Sequence, residues 1–98
     1  MTDFAALEAG ARARLDRMRR LAADLAAVRV DHTDADGTIT VSVDGMGRLL
    51  DIRLTQQISS LSPSEFERVL VATAAAAVRR ALGTRGQLIE EFNGQVNS

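Results

Sequence analysis

Cysteine, lysine, tryptophan and tyrosine are all missing from this chain, and proline and histidine occur once each, as Pro63 and His32. Without cysteine there is no disulfide and no thiolate nucleophile, and the redox compartment is left open. With a single histidine as well, a structural zinc site is excluded in practice. The only aromatic residues are Phe4, Phe66 and Phe92, so alanine, leucine and valine must build the core. At 98 residues such a core is thin, because small domains bury a limited share of their surface, and dimerisation is the natural remedy. No apolar run approaches the roughly 20 residues of a membrane span. The opening Met-Thr-Asp-Phe lacks the basic and apolar regions of a secretory signal. A cytoplasmic protein is expected. Net charge is −1 and pI about 5.7, so a global basic excess is absent too.

What is present is clearest over residues 37–54. Ile39, Val41 and Val43 alternate with Thr38, Thr40, Ser42 and Asp44, and Leu50, Ile52 and Leu54 alternate with Asp51 and Arg53. That is the period-two pattern of strands with one buried and one polar face. Between them Asp44-Gly45-Met46-Gly47 offers glycines for a tight turn. The pattern predicts burial of Val41 and Ile52 alike. Residues 29–34 suggest a shorter strand before it, with Asp34-Ala35-Asp36-Gly37 as the turn.

Long helical segments flank the strands. Over residues 4–28, Phe4, Leu7, Ala11, Leu15, Met18, Leu21, Ala22, Leu25 and Val28 form one stripe at helical spacing, with Thr2 or Asp3 as cap. The stripe keeps a heptad-like register for about three heptads, which suits packing on another helix. Ser62-Pro63-Ser64-Glu65 is a capping box with proline at the first helical position. The second helix is expected to present Phe66, Val69, Leu70, Ala74, Ala77 and Ala81 and to stop at Gly83. This divides the chain into a domain over residues 1–83 and a C-terminal tail, 84–98, with at most a short helix. The fold class is α+β, α-β-β-β-α, with a three-stranded antiparallel meander.

Catalytic chemistry is hard to assemble from these residues, and an enzyme is not expected. His32 beside Asp31 and Asp34 reads as a boundary residue. The Asp31, Asp34, Asp36 spacing puts the glycine and glutamate of a calcium loop in the wrong places. Gly45-Met46-Gly47 lacks the lysine and following helix of a phosphate loop. No cofactor and no metal is implied. One charge feature stands out: Arg12, Arg14, Arg17, Arg19 and Arg20 fall within nine residues. As a solvated face they would be partly neutralised, since Glu8–Arg12, Arg12–Asp16, Asp16–Arg20 and Arg20–Asp24 lie four apart. That leaves Arg14, Arg17 and Arg19 without such a partner. As a binding face they would suit phosphate, which the guanidinium fork grips in bidentate fashion. Arg79 and Arg80 form a second basic pair near the end of the second helix.

The layout as a whole resembles the YbaB/EbfC family of bacterial nucleoid-associated proteins. The resemblance is carried by a long helix leading into Val30, the turn 34–37, the hairpin Thr-Ile-Thr-Val-Ser-Val-Asp-Gly-Met-Gly-Arg-Leu-Leu-Asp-Ile-Arg-Leu, and an alanine-rich second helix ending in basic residues. It covers roughly residues 4–82. It implies a homodimer of the α-β-β-β-α fold that binds DNA with little sequence preference. It also points to Arg12, Arg14, Arg17, Arg19, Arg20, Arg79 and Arg80 as the DNA-facing residues. Divergent actinobacterial relatives, encoded among type VII (ESX) secretion components, imply the alternative of a protein-binding accessory factor. The composition, with arginine and no lysine as a GC-rich genome favours, fits that group as well.

Overall fold

The computed structural model describes residues 3–97, with side chains through Gln95, and the element order is the expected one. Helix α1 spans Phe4–Ala26 and strands β1, β2 and β3 span Arg29–Thr33, Ile39–Asp44 and Leu49–Leu54. A 3-10 turn covers Gln56–Ser60, and helix α2 spans Pro63–Asn97. The strands form one antiparallel sheet in the order β1-β2-β3.

Two carboxylates fix the turns that fold the sheet. Asp34 Oδ1 accepts from the backbone N–H groups of Thr38 and Ile39, each at 2.7 Å, and its Oδ2 accepts from Thr38 Oγ1 at 2.6 Å. Gly37 closes that turn at φ 71°, in the left-handed region that glycine enters without steric cost. In the second turn Asp44 Oδ1 accepts from the backbone of Met46 and Arg48, each at 2.9 Å, and Oδ2 takes the Arg48 guanidinium at 2.9 Å. Here Gly47 holds φ 80° and its backbone lies against Val78 of α2.

The core is small. Val30, Ile39, Val41 and Val43 meet Ala77 and Ala81 of α2, and Phe66, Val69, Leu70, Ala74 and Val78 pack around them. Buried alanines let the helix backbone approach the sheet closely. Thr73, buried among them, returns its hydroxyl to the Val69 carbonyl at 2.7 Å. The capping box forms as expected: Ser62 Oγ accepts from Glu65 N–H and Glu65 Oε1 accepts from Ser62 N–H, each at 3.1 Å. At α1 the cap is Asp3, which accepts from Ala5 N–H at 2.9 Å; Thr2, the other candidate, lies outside the described residues.

Two expectations need correction. The stop at Gly83 does not occur, because α2 continues through residues 84–97 as one helix. Gly83 costs a helix about 1 kcal/mol, but beyond it Leu88 and Phe92 come to rest beside Leu21 of α1, and that packing carries the helix on. Second, Ile52 and its neighbours Leu50 and Leu54 are exposed, unlike Val41, because α2 lies over β1 and β2 and leaves the β3 side open. A bulge at this edge pairs Val43 with Leu49 and leaves Leu50 out of step with the alternation. Within the chain no residue of α1 is buried, and its apolar stripe is largely in solvent.

Candidate nucleic-acid interface

The chain is an elongated body, 75 Å in its longest dimension and 18 × 15 Å across. The length comes from α1 and the distal part of α2, which run antiparallel. Arg17, Arg20, Leu21 and Asp24 of α1 share a niche of about 60 Å³ with Leu88, Glu91, Phe92 and Gln95 of α2. α1 continues about 20 Å on the N-terminal side of Arg17, so its first turns project past the niche.

The arginines of α1 are five against the three carboxylates Glu8, Asp16 and Asp24. They do not share one environment. Arg12 pairs with Glu8 at 3.1 Å, both side chains well exposed. None of the other three i,i+4 pairs expected from the sequence closes to an ion pair among the described residues, because long exposed side chains gain little from holding one geometry. Arg14 and Arg19 are exposed and make no ion pair among the described residues. Arg20 is exposed at the rim of the niche. Arg17 is half-buried there, with its Nε out of solvent and without a hydrogen-bond partner. It therefore packs between the helices as well as offering charge at their surface.

The second basic pair sits apart. Arg80 donates to the carbonyl of Asp31 at 3.1 Å and to His32 Nδ1 at 3.3 Å, tying α2 to β1. Because arginine only donates, Nδ1 of His32 serves there as an acceptor. Arg79, one residue earlier, is exposed. Leu88, the nearest niche residue on α2, lies eight positions beyond Arg80, about 12 Å along the helix. The fold thus does not merge the two basic groups into one cluster.

The polar face of the sheet carries its own charges. Asp31 accepts the Ser42 hydroxyl and the Arg29 guanidinium, the latter at 3.2 Å, and lies 3.8 Å from Arg53. The Ser42 hydrogen bond, assisted by Arg29 and Arg53, holds the Asp31 carboxyl below the ordinary range. Asp44 is lowered by the backbone N–H of Arg48 first, and then by the Arg48 side chain and Met46. At Asp34, burial pushes the carboxyl up, but the hydrogen bonds from Thr38 and Ile39 outweigh it and the net direction is down. These are structural carboxylates, Asp31 within β1 and Asp34 and Asp44 at the turns. Among the described residues no cluster of histidine and carboxylates is placed to hold a metal ion, and no helix is long and apolar enough to cross a membrane.

Sequence reasoning missed one feature. Beside β3 an apolar groove of about 330 Å³ runs between sheet and helix, lined by Val41, Val43, Leu49, Ile52, Leu70, Val71, Ala74 and Val78. Val71 of α2 and Leu49 and Ile52 of β3 stand exposed along it, and Leu82 of α2 is exposed as well. The signal was there in α2, where Val71, Val78 and Leu82 recur at helical spacing on a second stripe beside the core-facing one.

Comparison with known proteins gives two findings. Residues 1–96 match the family described as the YbaB/EbfC DNA-binding family, a span that takes in the segment after Gly83. The crystal structure of uncharacterized protein HP0035 from Helicobacter pylori superposes with a TM-score of 0.68 at 15% identity, covering 94% of this chain and 98% of that one. At that identity the likeness is one of fold. No curated protein matches.

Proposed function

The chain belongs to the YbaB/EbfC DNA-binding family, and from that premise we propose that it is a non-enzymatic, homodimeric architectural protein of the bacterial nucleoid, working in the cytoplasm. It grips duplex DNA through phosphate contacts from arginine, with low sequence preference. The observation that carries this reading is the projecting α1, which holds Arg14 and Arg19 exposed and free of ion pairs among the described residues. Arg12, Arg17 and Arg20 add charge to the same helix, and Arg79 and Arg80, apart from it beside the sheet, are a second contact group. A helix offering several guanidinium groups and no rigid base-reading array positions itself on phosphate, and phosphate contacts set affinity without choosing sequence.

Dimerisation is supported by the open β3 edge and the apolar groove beside it. Monomeric proteins rarely leave a strand edge and a contiguous apolar patch uncovered together. A second copy seated there would close the sheet edge and place two α1 helices on one assembly.

The test is a gel shift with two unrelated duplexes at two salt concentrations, beside sedimentation of the free protein. The expected result is similar affinity for both duplexes and a steep loss with salt. Arg14→Gln/Arg19→Gln should weaken binding to both duplexes equally and lower the salt slope by about one unit per lost contact. Binding that is unchanged in this variant, at the same slope, would remove α1 from the DNA surface.

A further inference from the structure

Read as heptads, α1 has a seam. Phe4, Ala11, Met18 and Leu25 occupy d, and Leu15 and Ala22 occupy a. Only Leu25, at the base by the β2–β3 turn, is partly covered, where its carbonyl approaches Gly45. The rest is open: Phe4 is 76% exposed, Met18 57% and Leu15 44%. The α2-facing side of α1 is a different one, carrying Arg17, Leu21 and Asp24. So α1 has one face on its own chain and a second, apolar face on nothing.

The charges beside the seam decide what fits it. The e positions include Arg12 and Arg19, and the g positions include Arg14. No carboxylate occupies any e or g position of this helix. In a parallel pairing of two α1 helices, g meets e, setting Arg14 against an arginine of the other copy. An antiparallel pairing matches e with e and g with g, which is again arginine against arginine. Like charges at these positions disfavour a pairing that opposite charges would favour. Self-association along this seam is therefore disfavoured, while a helix with carboxylates at its flanks meets complementary charge on both sides. The alternation of Leu15 and Met18 with Ala11 and Ala22 gives a surface of knobs and gaps, as one helix offers another. A lipid-binding face would instead carry uniformly bulky residues.

We propose that the outer face of α1 is a docking surface for an amphipathic helix of another protein, with apolar residues on the Ala11–Leu15–Met18–Ala22 seam and carboxylates on Arg12, Arg14 and Arg19. The partner is acidic at the positions flanking its own seam. Such a partner covers three of the arginines offered to DNA, so helix and duplex exclude one another at α1. The docking itself does not depend on DNA being bound there at all.

The experiment uses the full chain and a fluorescein-labelled synthetic heptad peptide with leucine at a and d and glutamate at e and g. A second peptide, with lysine in place of glutamate, is the control. Fluorescence anisotropy should show the glutamate peptide binding about tenfold more tightly than the lysine peptide, the scale of a few partly exposed charge pairs. Arg14→Gln/Arg19→Gln should erase that preference. Leu15→Gln/Met18→Gln should abolish binding of both peptides with an unchanged circular dichroism spectrum, since both residues are solvent-exposed; Met18→Gln alone serves if the double variant loses helicity. Equal binding of the two peptides, no binding of either, or binding that survives loss of Leu15 and Met18 overturns the proposal. So does a drop in oligomer size on sedimentation of the Leu15→Gln/Met18→Gln variant, which assigns the face to a second copy. Vesicles of phosphatidylserine that bind the parent more tightly than the glutamate peptide does would assign it to a membrane surface. Because no arm of the peptide titration contains DNA, its failure leaves the DNA reading standing, and a silent gel shift leaves the docking result standing.

Discussion

β2 and β3 are adjacent strands with the same alternation and their apolar residues on the same face, yet they end in different places. Ile39, Val41 and Val43 of β2 are 1%, 0% and 2% exposed, whereas their cross-strand partners Leu54, Ile52 and Leu49 on β3 are 46%, 39% and 59% exposed. Period-two patterning states which face of a strand is apolar. It does not state what covers that face. On β2 the cover is Ala77 and Ala81 of α2, small enough to bring the helix close. α2 leaves the β3 side open, with the apolar groove between them. The first strand is a core strand of the chain; the second, on the proposed reading, is an interface strand covered by a second copy.

The largest expected effect tests that difference directly. Val41→Asp puts an unpaired charge where no solvent reaches and should cost several kcal/mol, enough to abolish the cooperative unfolding transition. Ile52→Asp, across the ladder from it, should leave the helical circular dichroism intact and yield a protein that sediments as a monomer. If both variants lose their fold, β3 is as closed as β2 and the distinction fails. If Ile52→Asp still sediments as a dimer, the second copy sits elsewhere.

A middle-sized effect concerns how β2 is pinned. Carboxylates hold both of its ends, Asp34 at the first turn and Asp44 at the second. Both are lowered from their ordinary range, Asp34 by hydrogen bonds that outweigh its burial and Asp44 by the Arg48 backbone first. A carboxyl that is more acidic folded than unfolded stabilises the fold fully above its unfolded value, near pH 4. That contribution is lost as the pH falls through the lower, folded value. Stability should therefore be flat from neutral pH down to about pH 5 and fall below about pH 4. In Asp34→Asn and Asp44→Asn the fall should be shallower, because each variant has removed one titrating group. Denaturant midpoints across that range are the measurement. An unchanged acid dependence in both variants would mean that the turns hold β2 without ionised carboxylates.

The element order, the two turns, the capping box and the core face of α2 were all legible in the sequence, because each rests on local chemistry: Asp34 and Gly37, Asp44 and Gly47, Ser62 and Glu65. The exposure of Ile52 was not, since it depends on where α2 passes, a tertiary fact. Sequence spacing counted Asp16 and Asp24 as partners for Arg12 and Arg20, but i,i+4 spacing permits an ion pair without enforcing one, and only Glu8–Arg12 closes. The arginine cluster was visible as a cluster. Its division was not, with Arg17 half-buried against α2 and Arg80 tied to β1. The first depends on helix packing beyond Gly83, where the local signal pointed to a helix end, and the second on where α2 crosses β1.

Gly83 gives the smallest expected effect and carries the comparison of β2 with β3 over to helices, since there too a local signal yields to what lies around it. A glycine that ends a helix does so in the left-handed region, where alanine is strained. Gly83 does not, because among the described residues the only glycines with positive φ are Gly37 and Gly47. A Cβ added at Gly83 meets no atom within 4 Å, so alanine fits there without displacing a neighbour. The two readings predict opposite signs. If the helix stopped there, Gly83→Ala would destabilise. In a continuous helix it should stabilise by roughly 0.5–1 kcal/mol, through the lower backbone entropy of the unfolded chain and better helix propensity. For a domain of this size that is a rise in melting temperature of a few degrees. A fall instead would show that residues 84–97 fold apart from the rest of α2, and that the local stop signal outweighs the packing of Leu88 and Phe92 against α1.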